Sequence, residues 1–306
     1  MKYLFKRMDG LTRLSLLIFL LSAAAFGAYY LAVISVADKQ GPVINIESDR
    51  IEVSVKDDKG SLLRGVTAVD AKDGDVTSSV MIESLSNFIG KNERTITYVA
   101  VDKNNNVTSA KRRMAYTDYM PPEFRLSAPL RYPVATTNLL SNLSAMDCLD
   151  GDITSSIKIT SAGGFRTGVA GDYDMTFQAS NSAGDVAELT VKVTVYNTYD
   201  YRATEIELNK YLVYLDRGAS FDPRSNLKSI IINGVEYDLE EGMGTYGDPT
   251  VTIEEQTIGL DRISVTHDIN TSVPGTYDVL YSLTMTTISG DQIYGEVHMP
   301  VIVRDN

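Results

Sequence analysis

The sequence predicts an all-β protein: three tandem antiparallel β-sandwiches preceded by one transmembrane helix. Three observations carry that expectation. Residues 14–37 are apolar and uncharged, a stretch of chain repeats itself at an offset of 77 residues, and apolar residues within the repeats alternate with polar ones at a period of two. With 43% apolar and 22% charged residues, the 306-residue chain has the composition of one that buries a core. Its net charge of −12, from 28 Lys and Arg against 40 Asp and Glu, repels phosphate backbones, so nucleic acid is excluded as a partner class. A single cysteine rules out a disulfide scaffold or a Cys-based zinc site, and His267 and His298 alone leave little for a His-ligated metal.

The first element is the apolar segment. About 20 helical residues cross a hydrocarbon core, and residues 14–37 exceed that length. Lys2, Lys6, Arg7 and Arg13 precede it against one acid, Asp9, so the positive-inside rule makes residues 1–13 a cytoplasmic basic tail and puts the C-terminal remainder outside the cell membrane. The expected product is a single-pass protein whose membrane partner is met through this helix. Small residues at Ala25 and Gly27 keep a cleaved signal peptide open as the alternative. No cysteine follows closely enough for lipidation.

The repeat comes next. Asp70, Asp73, Gly74, Asp75, Thr77, Ser78 and Ser79 align with Asp147, Asp150, Gly151, Asp152, Thr154, Ser155 and Ser156. A unit of this size is a small domain in tandem, not a solenoid repeat. Tyr173, Met175, Phe177 and Ala179 alternate with Asp174, Thr176, Gln178 and Ser180, as do Leu189, Val191, Val193 and Val195 with their polar neighbours, which predicts half-buried strands. Asp73-Gly74, Asn104 to Asn106, Gly163-Gly164 and Ser182 to Asp185 supply the turns between them. From Thr204 onward a third β region shows weaker kinship. Its Pro274-Gly275-Thr276-Tyr277 stands where the second repeat has Ala170-Gly171-Asp172-Tyr173, and Pro300 predicts that the last strand lies at an edge. Glu240 to Pro249, with three glycines, reads as a long irregular insertion.

The pattern D-x-x-D-G-D-[IV]-T, followed by a G-x-Y-x-[VM]-x-[YF]-x-[AV]-x-[DN] strand, resembles the bacterial Ig-like domains of surface proteins, which also occur beside pesticidal crystal toxins and are related to hyalin-type repeats. The resemblance covers residues 43–117 and 121–197; Lys91 to Arg94 replace the Gly-x-Tyr in the first, and 204–303 is similar only through Pro-Gly-Thr-Tyr. It implies extracellular Ig-like β-sandwiches at 38–120 and 121–200 and a divergent one at 201–306.

The Asp motifs are the one constellation with the makings of a site. Asp70, Asp73 and Asp75 with Asp102, and Asp147, Asp150 and Asp152 with Asn181, gather the oxygen ligands that calcium takes on extracellular modules. The competing reading is that Asp-Gly makes the turn and the carboxylates accept local backbone N–H groups. Cys148, where the first repeat has Ala71, is expected to be buried, with pairing to another chain as the alternative. His267 and His298 are expected at the surface. Tyr196, Tyr199, Tyr201, Tyr211 and Tyr214 form either a binding face or interdomain packing. No nucleophile elbow, phosphate loop or zinc-protease motif occurs.

Short linkers at Asp118 to Pro122 and Asn197 to Ala203 predict three sandwiches in series, a semi-rigid stalk. The expected function is therefore a non-catalytic, membrane-anchored extracellular Ig-like stalk for surface binding, adhesion or envelope assembly, with a protein or glycan partner at the distal domain. The alternative is a secreted or anchored carbohydrate-binding, enzyme-accessory module, which requires an exposed aromatic platform.

Overall fold

In the computed structural model, the residues described are 9–36, 38–197, 204–232, 234–238, 240–241, 249–253, 256–259, 263–286, 290 and 292–305. The chain divides into two compact units, Met1–Asp118 and Tyr119–Asn306.

The first unit opens with helix α1, Gly10–Val36. At about 1.5 Å per residue its 27 residues measure roughly 40 Å, more than the ~30 Å of a hydrocarbon core. Asp9 caps its start, accepting from the Thr12 amide at 3.1 Å. The span Gly10–Ala32 is apolar enough to cross a membrane, and none of it is buried among the described residues. Most of the predicted basic tail lies outside the described residues.

The first sandwich follows with β1 (Val43–Ile46), β2 (Arg50–Val53), β3 (Val66–Asp70), β4 (Gly74–Asp75), β5 (Met81–Leu85), β6 (Glu93–Val101) and β7 (Val107–Tyr116). They form a three-stranded sheet, β1-β3-β4, and a four-stranded one, β2-β7-β6-β5, in which β2 joins β7 in parallel. The two inner faces meet in a core of Ile51, Val53, Leu62, Val66, Ile96, Tyr98 and Met114. Strand β6 shows the alternation, with Ile96, Tyr98 and Ala100 fully buried between half-buried partners.

The second sandwich repeats this plan. Its strands β8 (Glu123–Leu126), β9 (Arg131–Pro133), β10 (Leu143–Asp147), β11 (Gly151–Asp152), β12 (Lys158–Ser161), β13 (Gly171–Ser180) and β14 (Val186–Tyr196) make sheets β8-β10-β11 and β9-β14-β13-β12. The predicted alternation of residues 173–179 is the inward face of β13, where Met175, Phe177 and Ala179 are fully buried. Gly74 and Gly151, both at φ +73°, turn each chain back after its Asp motif, a conformation that an L side chain adopts only with strain.

The third sandwich has the same strand order despite its weaker sequence kinship. Strands β15 (Thr204–Leu208), β17 (Leu227–Ile232) and β18 (Val235–Asp238) form one sheet; β16 (Val213–Asp216), β24 (Gln292–Arg304), β23 (Gly275–Thr286) and β22 (Ile263–His267) form the other. Between β18 and β22 the chain inserts a small sheet of β19 (Glu240–Glu241), β20 (Pro249–Ile253) and β21 (Gln256–Gly259). The glycine-rich stretch is thus flanked by paired strands, while residues 242–248 lie outside the described residues. The kinship of the Gly-x-Tyr turns is borne out in detail: Tyr173 donates to the Val169 carbonyl at 3.0 Å and Tyr277 to the Val273 carbonyl at 2.8 Å. Pro300 marks an edge only in part, because β24 gains its second neighbour at Val301, immediately after the proline.

The expected series arrangement fails between the second and third sandwiches. Arg304, which ends the last strand, forms an ion pair with Glu123, which begins the first strand of the second sandwich. In a linear series those residues would stand at opposite extremes. Instead the third sandwich folds back beside the second. Leu212 and Ile302 pack against the second core, and Thr190 and Lys192 of β14 adjoin Tyr277 and Asp278 of β23. The reason is chemical: a shared apolar and aromatic surface outweighs the stiffness of a short linker, most of which, residues 198–203, lies outside the described residues.

Candidate functional site

The Asp motif of the first sandwich sits at one pole. Asp70 ends β3, and its Oδ1 accepts from the amides of Asp73 at 2.9 Å and Lys72 at 2.8 Å; these bonds hold its carboxyl below the usual carboxylate range. Asp102 follows β6 and accepts from the amides of Asn104 at 2.8 Å and Asn106 at 2.7 Å and from the Asn106 side chain at 2.7 Å. Both are buried, at 3% and 6% exposure. A third carboxylate joins them: oxygens of Asp38, Asp70 and Asp102 lie within 4.8 Å of one another. Asp38 stands just beyond helix α1, and Asn106 donates to its backbone carbonyl at 3.2 Å.

The remaining acids of the first motif are used elsewhere. Asp73 accepts from the Lys103 amide at 2.9 Å, and its other oxygen lies 3.7 Å from the Lys103 ammonium. Asp75 accepts from the Thr77 amide at 2.9 Å and is held ionised by Thr77. The structure therefore brings together Asp70 and Asp102, leaves Asp73 and Asp75 to turn formation, and adds Asp38. No local spacing signals Asp38, which reaches the site from a separate segment.

In the second sandwich the same pole is closed by hydrogen bonds. Asp147 accepts from the amides of Leu149 and Asp150 at 2.8 and 3.0 Å, and its other oxygen accepts from the Asn181 side chain at 3.1 Å. Asn181 also donates to the Tyr119 hydroxyl at 2.9 Å, and that hydroxyl donates to Asp185 at 2.6 Å. Burial and the neighbouring Asp185 carboxylate push the Tyr119 phenol far up, keeping it a neutral donor. Asp150 accepts from Ser182, and Asp152 from the Thr154 amide at 2.9 Å. Cys148 is half-buried; its thiol donates to the Met120 carbonyl at 3.0 Å.

The described tyrosines pack between sandwiches or on strand faces. The Tyr214 hydroxyl accepts from the Phe124 amide at 2.8 Å, across the junction of second and third sandwiches, and burial pushes its pKa up to about 12. The Arg304 guanidinium lies 4.9 Å over the Tyr214 ring, and Arg131 covers Tyr196 at 4.8 Å. Tyr211 packs against the third core, whereas Tyr199 and Tyr201 lie outside the described residues. His298 departs from the expected surface position: its side chain is 15% exposed, with Nδ1 2.6 Å from Asp278 Oδ2. The fold-back covers it, because His298 lines a crevice with Leu130 and Lys192 of the second sandwich. His267 ends β22 and is exposed.

These features define a protein of tandem β-sandwiches behind one exposed apolar helix. No protein-family model matches the chain. An uncharacterized 81.3 kDa protein of Acholeplasma phage L2 is 28% identical over 176 residues, covering 54% of this chain and 23% of the relative. The pesticidal crystal protein Cry22Aa of Bacillus thuringiensis is 38% identical over 82 residues, covering 27% of this chain and 10% of the relative. The chain thus spans less than a quarter of either. Among solved structures, CBM51-2 in complex with GlcNAc and INT domains from Clostridium perfringens ZmpB aligns at 21% identity and a TM-score of 0.21, over 48% of this chain and 26% of that one. A protocadherin GammaB4 extracellular domain aligns at 11% identity and a TM-score of 0.20, over 87% of this chain and 50% of that one.

Proposed function

We propose that the chain is a non-catalytic, membrane-anchored extracellular protein of bacterial Ig-like type, whose sandwiches serve surface binding, adhesion or envelope assembly. The observation that carries this reading is helix α1: Leu14, Leu17, Ile18, Phe19, Leu21 and Phe26 are each at least half exposed among the described residues. An isolated helix with that much apolar surface requires a nonpolar medium. The positive charge before it orients the sandwiches outward.

On this reading the folded-back pair of sandwiches in the second unit is the binding head. The third sandwich is assigned the protein or glycan contact because it carries the inserted sheet β19-β20-β21, and insertions on a fixed scaffold are common seats of recognition. The accessory-module alternative draws less support, since Tyr196 and Tyr214 are covered by arginines and unavailable as an open sugar platform. The non-catalytic reading is supported by the use of the motif carboxylates in turns and by the contact of His298 Nδ1 with Asp278 in a crevice between the second and third sandwiches. Fractionation tests the anchor. The full chain should remain with membranes after carbonate extraction and be released by detergent, whereas a chain lacking residues 1–37 should be soluble. A soluble full-length product, or one beginning near Ala28, would overturn the anchored reading.

A further inference from the structure

The geometry points to a divalent-cation site of the calcium class formed by Asp38, Asp70 and Asp102, which ties the segment leaving helix α1 to the first sandwich. Three carboxylates with oxygens within 4.8 Å of one another repel, and two of them are buried at 3% and 6% exposure.

A second observation comes from Asp38 itself. Its side chain is 7% exposed, and while Oδ1 accepts from the Gln40 amide at 3.1 Å, Oδ2 is buried and accepts no hydrogen bond among the described residues. A buried carboxylate oxygen left this way carries a desolvation penalty that a cation removes. The Lys72 ammonium lies 3.9 Å from Oδ2, beyond hydrogen-bond reach, on a side chain 53% exposed; its single charge does not balance three.

The donor set selects the ion. All ligands are carboxylate oxygens, which suit hard cations, and carboxylates set on loops and a strand end, without a fixed octahedral cage, favour calcium, which accepts flexible oxygen geometry, over magnesium, which demands near-ideal octahedral geometry and dehydrates reluctantly. The second sandwich is an internal control. There Asn181 takes the place of Asp102, and a Tyr119 hydroxyl from the entering segment completes the pole by hydrogen bonds. The fold therefore closes this pole without three carboxylates, and their presence in the first sandwich calls for another cause.

The test uses the full chain in detergent micelles, stripped with chelator and titrated with calcium chloride by calorimetry. Saturable binding is expected at about 10⁻⁴–10⁻³ M, at least tenfold tighter than magnesium. Hydrogen exchange at Gln40 and Gly41 should slow with calcium. Asp38→Asn and Asp102→Asn should each weaken binding tenfold or more, while Asp152→Asn, in the second sandwich, should not change it. If Asp102→Asn fails to fold, Asp38→Asn decides, because Asp38 lies outside any strand. Absence of saturable calcium binding, unchanged affinity in Asp38→Asn, or an equal loss in Asp152→Asn would overturn the proposal.

Discussion

Replacing Tyr214 with Phe removes one oxygen from the junction of the second and third sandwiches and leaves the ring in place. That oxygen accepts the Phe124 amide at 2.8 Å, and Phe124 is 1% exposed, so the variant leaves a buried N–H without its acceptor. Such a group costs about 1–3 kcal/mol. For a unit spanning residues 119–306, roughly 2–4 °C of melting temperature corresponds to each kcal/mol, so a fall of about 2–12 °C is expected. Differential scanning calorimetry reads the shift, and hydrogen exchange at the Phe124 amide localises it, since that proton should exchange faster in the variant. Arg304→Met is the useful companion: its ion pair with Glu123 is 39% and 31% exposed, and a partly solvated pair contributes only about 0–1 kcal/mol. If the sandwiches stood in linear series, the Tyr214 hydroxyl would face solvent. A Tyr214→Phe variant that melts with the wild type and keeps its Phe124 amide protected would refute the fold-back.

Further outcomes follow from the same structure. Phe177→Ala, at a fully buried position of β13, should destabilise the second sandwich by about 3–5 kcal/mol in urea unfolding. Gly74→Ala should cost roughly 1–2 kcal/mol although open space surrounds the site, because φ +73° is left-handed; an unchanged midpoint would show that the turn relaxes. Hydrogen bonds lower the carboxyl pKa values of Asp75, Asp118 and Asp152 in the folded state, so their contribution is present above the unfolded value and is lost as pH falls through the folded one. Stability should therefore decline below about pH 4, and Asp118→Asn, which removes an acceptor for Ser54 and Val55, should flatten that decline.

How far the sequence carried the fold depended on the range of each interaction. The alternation in residues 173–179 and the Asp-Gly turns are local, since strand pleating and positive φ leave their mark on adjacent residues, and the first two sandwiches were legible from them. The third sandwich was legible as β but not as a copy, because only its Gly-x-Tyr turn retained the signature while strand order was kept by packing. Pro300 was read as an edge marker, yet parallel strand β16 starts pairing one residue later, a contact set by residues 213–216 far upstream. The site divided the same way. Asp70 and Asp102 were visible through the repeat, whereas Asp38 belongs to no motif and reaches them only through the tertiary fold. The fold-back rests on pairs such as Glu123 with Arg304, which no spacing in the chain announces.

Orientation across the membrane is the claim on which the functional reading stands, and cysteine labelling in intact cells tests it most directly. Cys148, the native cysteine, is changed to Ala, and a single cysteine is placed either at Val169, which is 48% exposed in the second sandwich, or at Lys6 in the basic tail. A membrane-impermeant maleimide should label Val169→Cys in intact cells and Lys6→Cys only after lysis. Protection of Val169→Cys until lysis, or labelling of Lys6→Cys from outside, would contradict an anchored protein with its sandwiches facing outward.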